Sequence, residues 1–315
     1  MIVEDKEIDF DIEVLSPQVH ENMAAIPLKS KVSYKLDIMT LKKGLELGLV
    51  EVKECKKSTV NTIMVTNNAV TPLILIDGEE ILGAKQNRIV NSTLLIAPKT
   101  TQAISVSCTE HGRWAYKNEF RQSDYIANFN TRRAKEVATR GHGNSQKAVW
   151  DSIACLEVEN SFKSPTSAMS ESYDNLKIDH DEFLKAFEMV DGQCGVLVIQ
   201  NGEIKGFEIF YNPQIYREYH EKVLRSYLID NRIENTTFTI NVDEIKNVID
   251  DANYLEFNKR NSEGIADKFE FENDYSLGNL YAYDGEVIHF SYFNKKDDSP
   301  LDDNNEQMLV GYSTG

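Results

Sequence analysis

The stretch Leu73-Ile74-Leu75-Ile76-Asp77-Gly78-Glu79-Glu80-Ile81-Leu82-Gly83-Ala84-Lys85-Gln86-Asn87-Arg88 sets an apolar run directly against dense polar clusters. Further apolar runs follow at 94–97 and 104–106, and the polar pattern closes with Cys108-Thr109-Glu110-His111-Gly112-Arg113-Trp114. Short apolar runs bounded by glycine and polar residues read as buried strands. The charged clusters then fall at strand ends or in tight turns beside a packed core. A carboxylate or guanidinium placed there must find a partner, and the same groups suit a bound ligand.

Outward from this stretch the periodicity is legible on both sides. Ile8, Phe10, Ile12 and Val14 alternate with acidic residues, which predicts a strand with one wet face. Thr40 is placed to cap a short helix through Leu41 and Leu45 to Gly48, and strands follow from 50 to 106. Asp77-Gly78, Asn201-Gly202 and Asp284-Gly285 each separate strand-like runs and predict antiparallel pairing through tight turns. Beyond Trp114 the spacing predicts helices over 120–139 and 146–157, separated by Gly141-His142-Gly143-Asn144-Ser145. Residues 161–174, rich in Ser, Thr and Pro, read as a long ordered loop or an interlobe crossing. Pro213 opens a helix carrying Ile215, Tyr219, Val223 and Tyr227 on one face, with His220 packed within it. A last helix over 242–252 precedes strands at 269–271 and 280–293 and a charged, flexible segment at 295–307. The expected class is α+β: an antiparallel β-sandwich or jelly-roll-like layer followed by helices, with a C-terminal α+β extension. A soft boundary near 231–237 divides 1–232 from 233–315.

Composition excludes several function classes. A hydrophobic content of 41%, with 14 Phe, 14 Tyr and 2 Trp, is that of a globular chain. The net charge of -17 opposes general nucleic-acid binding, which needs a surplus of Lys and Arg. No secretory leader and no run of about twenty apolar residues is present, so a cytoplasmic protein without membrane attachment is expected. Cys55, Cys108, Cys155 and Cys194 are widely spaced and form no CxxC pair, which predicts reduced thiols; Cys108, near Glu110 and His111, is the one to examine as a nucleophile.

The pattern GEExxGAKQNR, followed by S-C-x-E-x-G-R-W, resembles the ADP-ribosylglycohydrolase and rhodanese-phosphatase associated protein domain, a prokaryotic family, over about residues 20–230. Glu54, Gln146, Trp150, the segment 164–166 and the hairpin at 195–210 match more loosely. The resemblance carries no assigned reaction. It implies a neighbourhood of ADP-ribose or NAD-derived chemistry, often in bacterial or phage conflict systems.

The residue types at 79–114 fit such a ligand. Lys85, Arg88 and Arg113, with Arg132 and Arg133 from the next helix, suit a pyrophosphate. Glu79, Glu80 and Glu110 are acceptors for ribose hydroxyls, Trp114 is a stacking surface, and Gln86, Asn87 and His111 complete the binding set. Glu80 and Glu110 form the candidate catalytic pair for glycosidic cleavage. The competing reading makes the same groups fasten one another: Glu79 or Glu80 with Lys85 or Arg88, Glu110 with Arg113, Trp114 as a core anchor, Gln86 and Asn87 as partners for turn backbone. No metal is expected, because Glu79, Glu80, Glu110 and His111 lack ligand spacing; the cofactor is unspecified. The leading expectation is binding or processing of an ADP-ribose or NAD-derived nucleotide. The alternatives are an acidic interaction module for a basic partner protein and, from the Tyr and acidic residues of the C-terminal part, a sugar-binding sandwich.

Overall fold

In the computed structural model, residues 11–295 are described apart from 33, 56–60, 211, 232 and 234–236, together with the backbone at 2–3 and 6–7. The chain opens with a ribbon of β1 (Ile2–Val3) and β2 (Lys6–Glu7), then β3 (Ile12–Val14), β4 (Gln18–His20) and β5 (Met23–Ser30). Next come β6 (Met39–Thr40), α1 (Leu41–Glu46), β7 (Val50–Glu54), β8 (Thr62–Asn67), β9 (Leu73–Leu75), β10 (Glu79–Leu82), β11 (Arg88–Val90), β12 (Leu94–Ile96) and β13 (Thr100–Cys108). After β14 (Arg121–Ile126) the helices α2 (Phe129–Arg140), α3 (Ser145–Glu159) and α4 (Met169–Leu184) follow in succession. The hairpin β15 (Gly195–Gln200) and β16 (Glu203–Ile209), helices α5 (Pro213–Leu228) and α6 (Val242–Asp251), and strands β17 (Asn258–Arg260), β18 (Asp267–Glu272), β19 (Ser276–Tyr283) and β20 (Glu286–Asn294) complete it. The class is α+β, as expected.

The 50–108 region forms a two-sheet layer. A six-stranded sheet in the order β14-β10-β11-β13-β8-β7 and a three-stranded sheet in the order β12-β9-β6 enclose one core, which includes Leu41, Val50, Ile63, Leu73, Leu75, Ile81, Ile96 and Val106. Pairing is antiparallel except for β6 beside β9. The second layer is a nine-stranded sheet running β17-β18-β19-β20-β16-β15-β5-β3, with β4 also paired to β5. Every residue of β15 is buried because both faces of this sheet are covered. Val196 and Val198 face a cluster that includes Tyr219, Val223 and Tyr227 of α5, while Leu197 and Ile199 face one that includes Ile245 and Ile249 of α6. The sheet crosses residue 232: β16 pairs with β20, from Gly206 opposite Phe293 to Ile209 opposite Phe290.

Local chemistry accounts for most element ends. The Thr40 side chain accepts from the Lys43 amide at the start of α1, and Asn212 does the same for Gln214 and Ile215 before Pro213 of α5. His220 is packed, its ring bonded to the Tyr216 hydroxyl and the Phe187 carbonyl. Asn201-Gly202 and Asp284-Gly285 take positive φ at both residues and join β15 to β16 and β19 to β20.

Three expectations are corrected. Residues 121–126 form β14 rather than a helix, since β10 lacks a second neighbour without them and the Ser123 and Tyr125 side chains turn inward. Asp77-Gly78 is a turn but no hairpin: β9 pairs with β12 and β6, and β10 with β11 and β14. The segment 161–174 becomes helical at Met169, so only its first part is loop. Residues 8–10, most of 231–237 and everything after 295 lie outside the described residues. No described helix is long and apolar enough to cross a membrane.

Candidate functional site

The polar residues of 79–114 come together, and most of them bond to one another. Arg113 grips Glu110 with Nε at 2.8 Å from Oε1 and Nη2 at 2.6 Å from Oε2. Thr166 donates to Oε1 at 3.0 Å and the Asn87 amide to Oε2 at 3.3 Å. Burial pushes the Glu110 carboxyl up, but this fork and the two further donors outweigh it and hold it below the usual range. Arg113 also donates to the Ala84 and Ala115 carbonyls at 2.7 and 2.9 Å and to Asn87 Oδ1 at 3.2 Å.

Asn87 and Gln86 are buried partners of turn backbone. Asn87 Oδ1 accepts from the Gly83 amide at 3.0 Å, and Gln86 Nε2 donates to the Glu110 carbonyl at 2.9 Å. Gly83 has φ 123°, and a Cβ there would stand 2.5 Å from the Glu119 carbonyl oxygen. Arg88 is buried, with Nη1 donating to Gln86 Oε1 at 3.3 Å and Nη2 at 3.8 Å from Glu54 Oε1. Gln146, one of the loosely matching residues, acts as a surrogate strand: it accepts from the Cys108 amide at 2.7 Å and donates to its carbonyl at 2.9 Å. These bonds give the motif residues structural work.

Glu80 is different. It is fully buried and accepts from Thr109 at 3.0 Å and Ser123 at 2.8 Å, with no cation in contact among the described residues. Burial raises its carboxyl to about 7, only partly opposed by the two hydroxyls. Glu79 is also raised by burial, against Lys222, and accepts from Gln122 at 2.6 Å and from Tyr219.

The remaining expected residues lie elsewhere. Trp114 is 58% exposed rather than a core anchor, because Arg113 holds the backbone beside it and the loop runs over the surface. His111 is exposed and meets Trp150 edge-on with centroids 4.6 Å apart. Arg132 is buried in a bidentate pair with Glu208, at 3.0 and 2.8 Å, and Arg133 is buried over the Phe129 ring, donating to the Lys295 carbonyl. Cys108 is buried and its thiol is pushed up by that burial, which disfavours a thiolate.

Space for a guest opens beside the knot. A groove of about 870 Å³ is lined by Lys42, Glu54, Lys85, Tyr116, Arg121 and Asp124 among others. Glu54 ties it to the interior, accepting from the Lys85 amide at 3.3 Å and facing buried Arg88. Gln122 lines the groove and donates inward to Glu79. Neither Glu80 nor Glu110 lines this groove. Lys85 was legible as a site residue; Lys42, Tyr116, Arg121 and Asp124 were not, because they come from α1, a surface loop and a strand read as helix. Among the described residues no group of three or more His, Cys, Asp or Glu is placed to hold a metal ion.

No curated protein and no solved structure matches the chain. The family model of the ARG and Rhodanese-Phosphatase-superfamily-associated Protein domain matches residues 11–293, across both sheet layers, and the chain belongs to that family.

Proposed function

We propose that the chain binds a nucleotide of the ADP-ribose class in the groove beside the polar knot, and that the knot shapes the groove floor rather than contacting the ligand. The observation that carries this reading is the groove itself: about 870 Å³ of space over Glu54 and Lys85, within the range of about 300–1,000 Å³ typical of small-molecule sites. Lys42, Lys85 and Arg121 are the cations for phosphate, Glu54 and Asp124 the acceptors for ribose hydroxyls, and exposed Tyr116 a stacking face for a base. The family description, which associates these proteins with ARG and the rhodanese-phosphatase superfamily, supports the ligand class. Catalysis by Glu80 and Glu110 forms no part of the reading, since one carboxylate is locked by Arg113 and the other is enclosed.

Thermal denaturation with ADP-ribose, NAD and AMP tests the proposal. At a hundredfold excess over Kd, binding adds about 2.7 kcal/mol, a rise of roughly 4 °C for a chain of this size. No shift with any of the three would remove the nucleotide reading.

A second reading is favoured by the neighbouring loop. Trp114 and Tyr116, 58% and 62% exposed, stand on backbone pinned by Arg113 and by the Ala84–Asn118 and Lys117–Ala84 bonds. Rigid exposed aromatics are typical anchors for a protein partner, and a net charge of -17 favours a basic one. Capture of such a partner would weaken with salt and with Trp114→Ala; capture indifferent to both would rule this reading out.

A further inference from the structure

Although the chain carries a net charge of -17, a cavity of about 600 Å³ between the end of α2 and the β17–β18 hairpin is lined by three cations against two carboxylates. The cations are Arg140, Arg260 and Lys268, and Asn258, Asn261 and His142 stand beside them. We propose that this cavity is an anion site that takes the phosphate or pyrophosphate group of a small molecule.

The bonding of the three cations favours that ligand. Arg140 is nearly buried, and its terminal nitrogens go to carbonyls, to Phe271 at 2.6 Å and Gly278 at 2.8 Å. Its nearest carboxylates, Glu272 and Glu136, are at 3.6 and 3.7 Å, and its Nε has no hydrogen-bond partner. The guanidinium therefore hydrogen-bonds to neutral oxygens while Glu272 and Glu136 balance its charge from long ion-pair distance. Arg260 and Lys268 share a single carboxylate, Glu270, each at 2.9 Å. Glu272 is drawn away to Lys295 at 2.7 Å. Two guanidiniums and an ammonium around one opening match the oxygens of a phosphate, which accepts paired N–H donors.

The local field agrees with this count. Glu270 is held below the usual carboxylate range despite burial, by Lys268 and Arg260, and Glu272 is lowered by its bond to Lys295 against a smaller effect of burial. His142 enters the lining from a tight reversal after α2: its φ is 58°, and the Gly143 amide bonds back to the Ala138 carbonyl. That reversal brings His142 to the lining of a cavity in which Arg140 and Lys268 are the least exposed cations. The site is separate from the groove beside the polar knot; none of its lining residues is shared.

The test is calorimetric titration of pyrophosphate, inorganic phosphate and AMP into the full chain at low ionic strength. Saturable binding of pyrophosphate or inorganic phosphate at this site is expected, weakening as salt rises. Arg260→Ala, at a half-exposed position, should weaken it at least fivefold, and Lys268→Met serves as an independent variant. Lys85→Ala and Arg121→Ala, in the other groove, should leave it unchanged, so failure here is distinguishable from failure of the nucleotide reading. AMP binding that survives Lys85→Ala and Arg121→Ala and weakens in Arg260→Ala would assign the site to phosphomonoesters, and binding of phosphate or pyrophosphate alone to the free anions. Absence of saturable heat at millimolar anion, or binding unaltered in both Arg260→Ala and Lys268→Met, would overturn the proposal.

Discussion

Glu80 and Glu110 belong to one sequence motif and differ in everything that sets ionisation. Glu110 has a guanidinium fork and two further donors; Glu80 has two hydroxyls and, among the described residues, no cation in contact. Since the folded-state value of Glu80, about 7, lies above its ordinary one, the stability it contributes is complete below about pH 4.5 and is lost as pH rises through 7. Glu80→Gln is therefore expected to leave stability near pH 4.5 almost unchanged and to raise it by about 2–3 kcal/mol at pH 8. Denaturant titrations at the two pH values check this, and equal effects at both would contradict it. Arg113→Ala strands a buried carboxylate and should cost roughly 3 kcal/mol of stability while leaving ligand affinity of the folded protein within about twofold. The sequence showed that these residues must be partnered. It offered Arg113 as the partner of Glu110, three residues apart, but not the Asn87 and Thr166 donors or the two hydroxyls on Glu80, which arrive from elsewhere in the chain.

At the scale of elements, the strongest local signals were the most faithful. Pro213 after Asn212, Thr40 before α1 and the Asn201-Gly202 and Asp284-Gly285 turns fix their own backbone, so little outside them can override the outcome. Residues 121–126 had no such signal, and their fate was set by β10, which needed a neighbour on its open edge. The Asp77-Gly78 turn kept its glycine geometry, with φ 78° at Gly78, yet led into a different sheet. Gly83 shows how closely the motif is built. Gly83→Ala meets both an unfavourable backbone region and the Glu119 carbonyl at 2.5 Å, and is expected to destabilise the protein by about 2 kcal/mol or more. A thermal midpoint unchanged from wild type would show that the loop carrying Glu119, between β13 and β14, gives way freely.

For the whole molecule, the sheet that joins early and late strands matters most. A chain ending at residue 232 would leave β16, carrying buried Phe207 and Ile209, without β20, and would uncover the face held by α6. Such a truncation is expected to aggregate or to lose cooperative unfolding, and a soluble fragment with a sharp thermal transition would show that the N-terminal part folds alone. The overall acidity was plain from composition, but the cation-lined cavity within it was not, because Arg140, Arg260 and Lys268 converge only when β17 and β18 fold against α2. The central claim is that the groove, and not the motif beneath it, receives the ligand. Calorimetric titration of ADP-ribose into wild type and into Lys85→Ala/Arg121→Ala tests it most directly. A saturable site that Arg260→Ala leaves intact, weakened tenfold or more in a double variant that melts within a few degrees of wild type, is the expected result; no binding at all, or equal affinity of that site in both proteins, would contradict it.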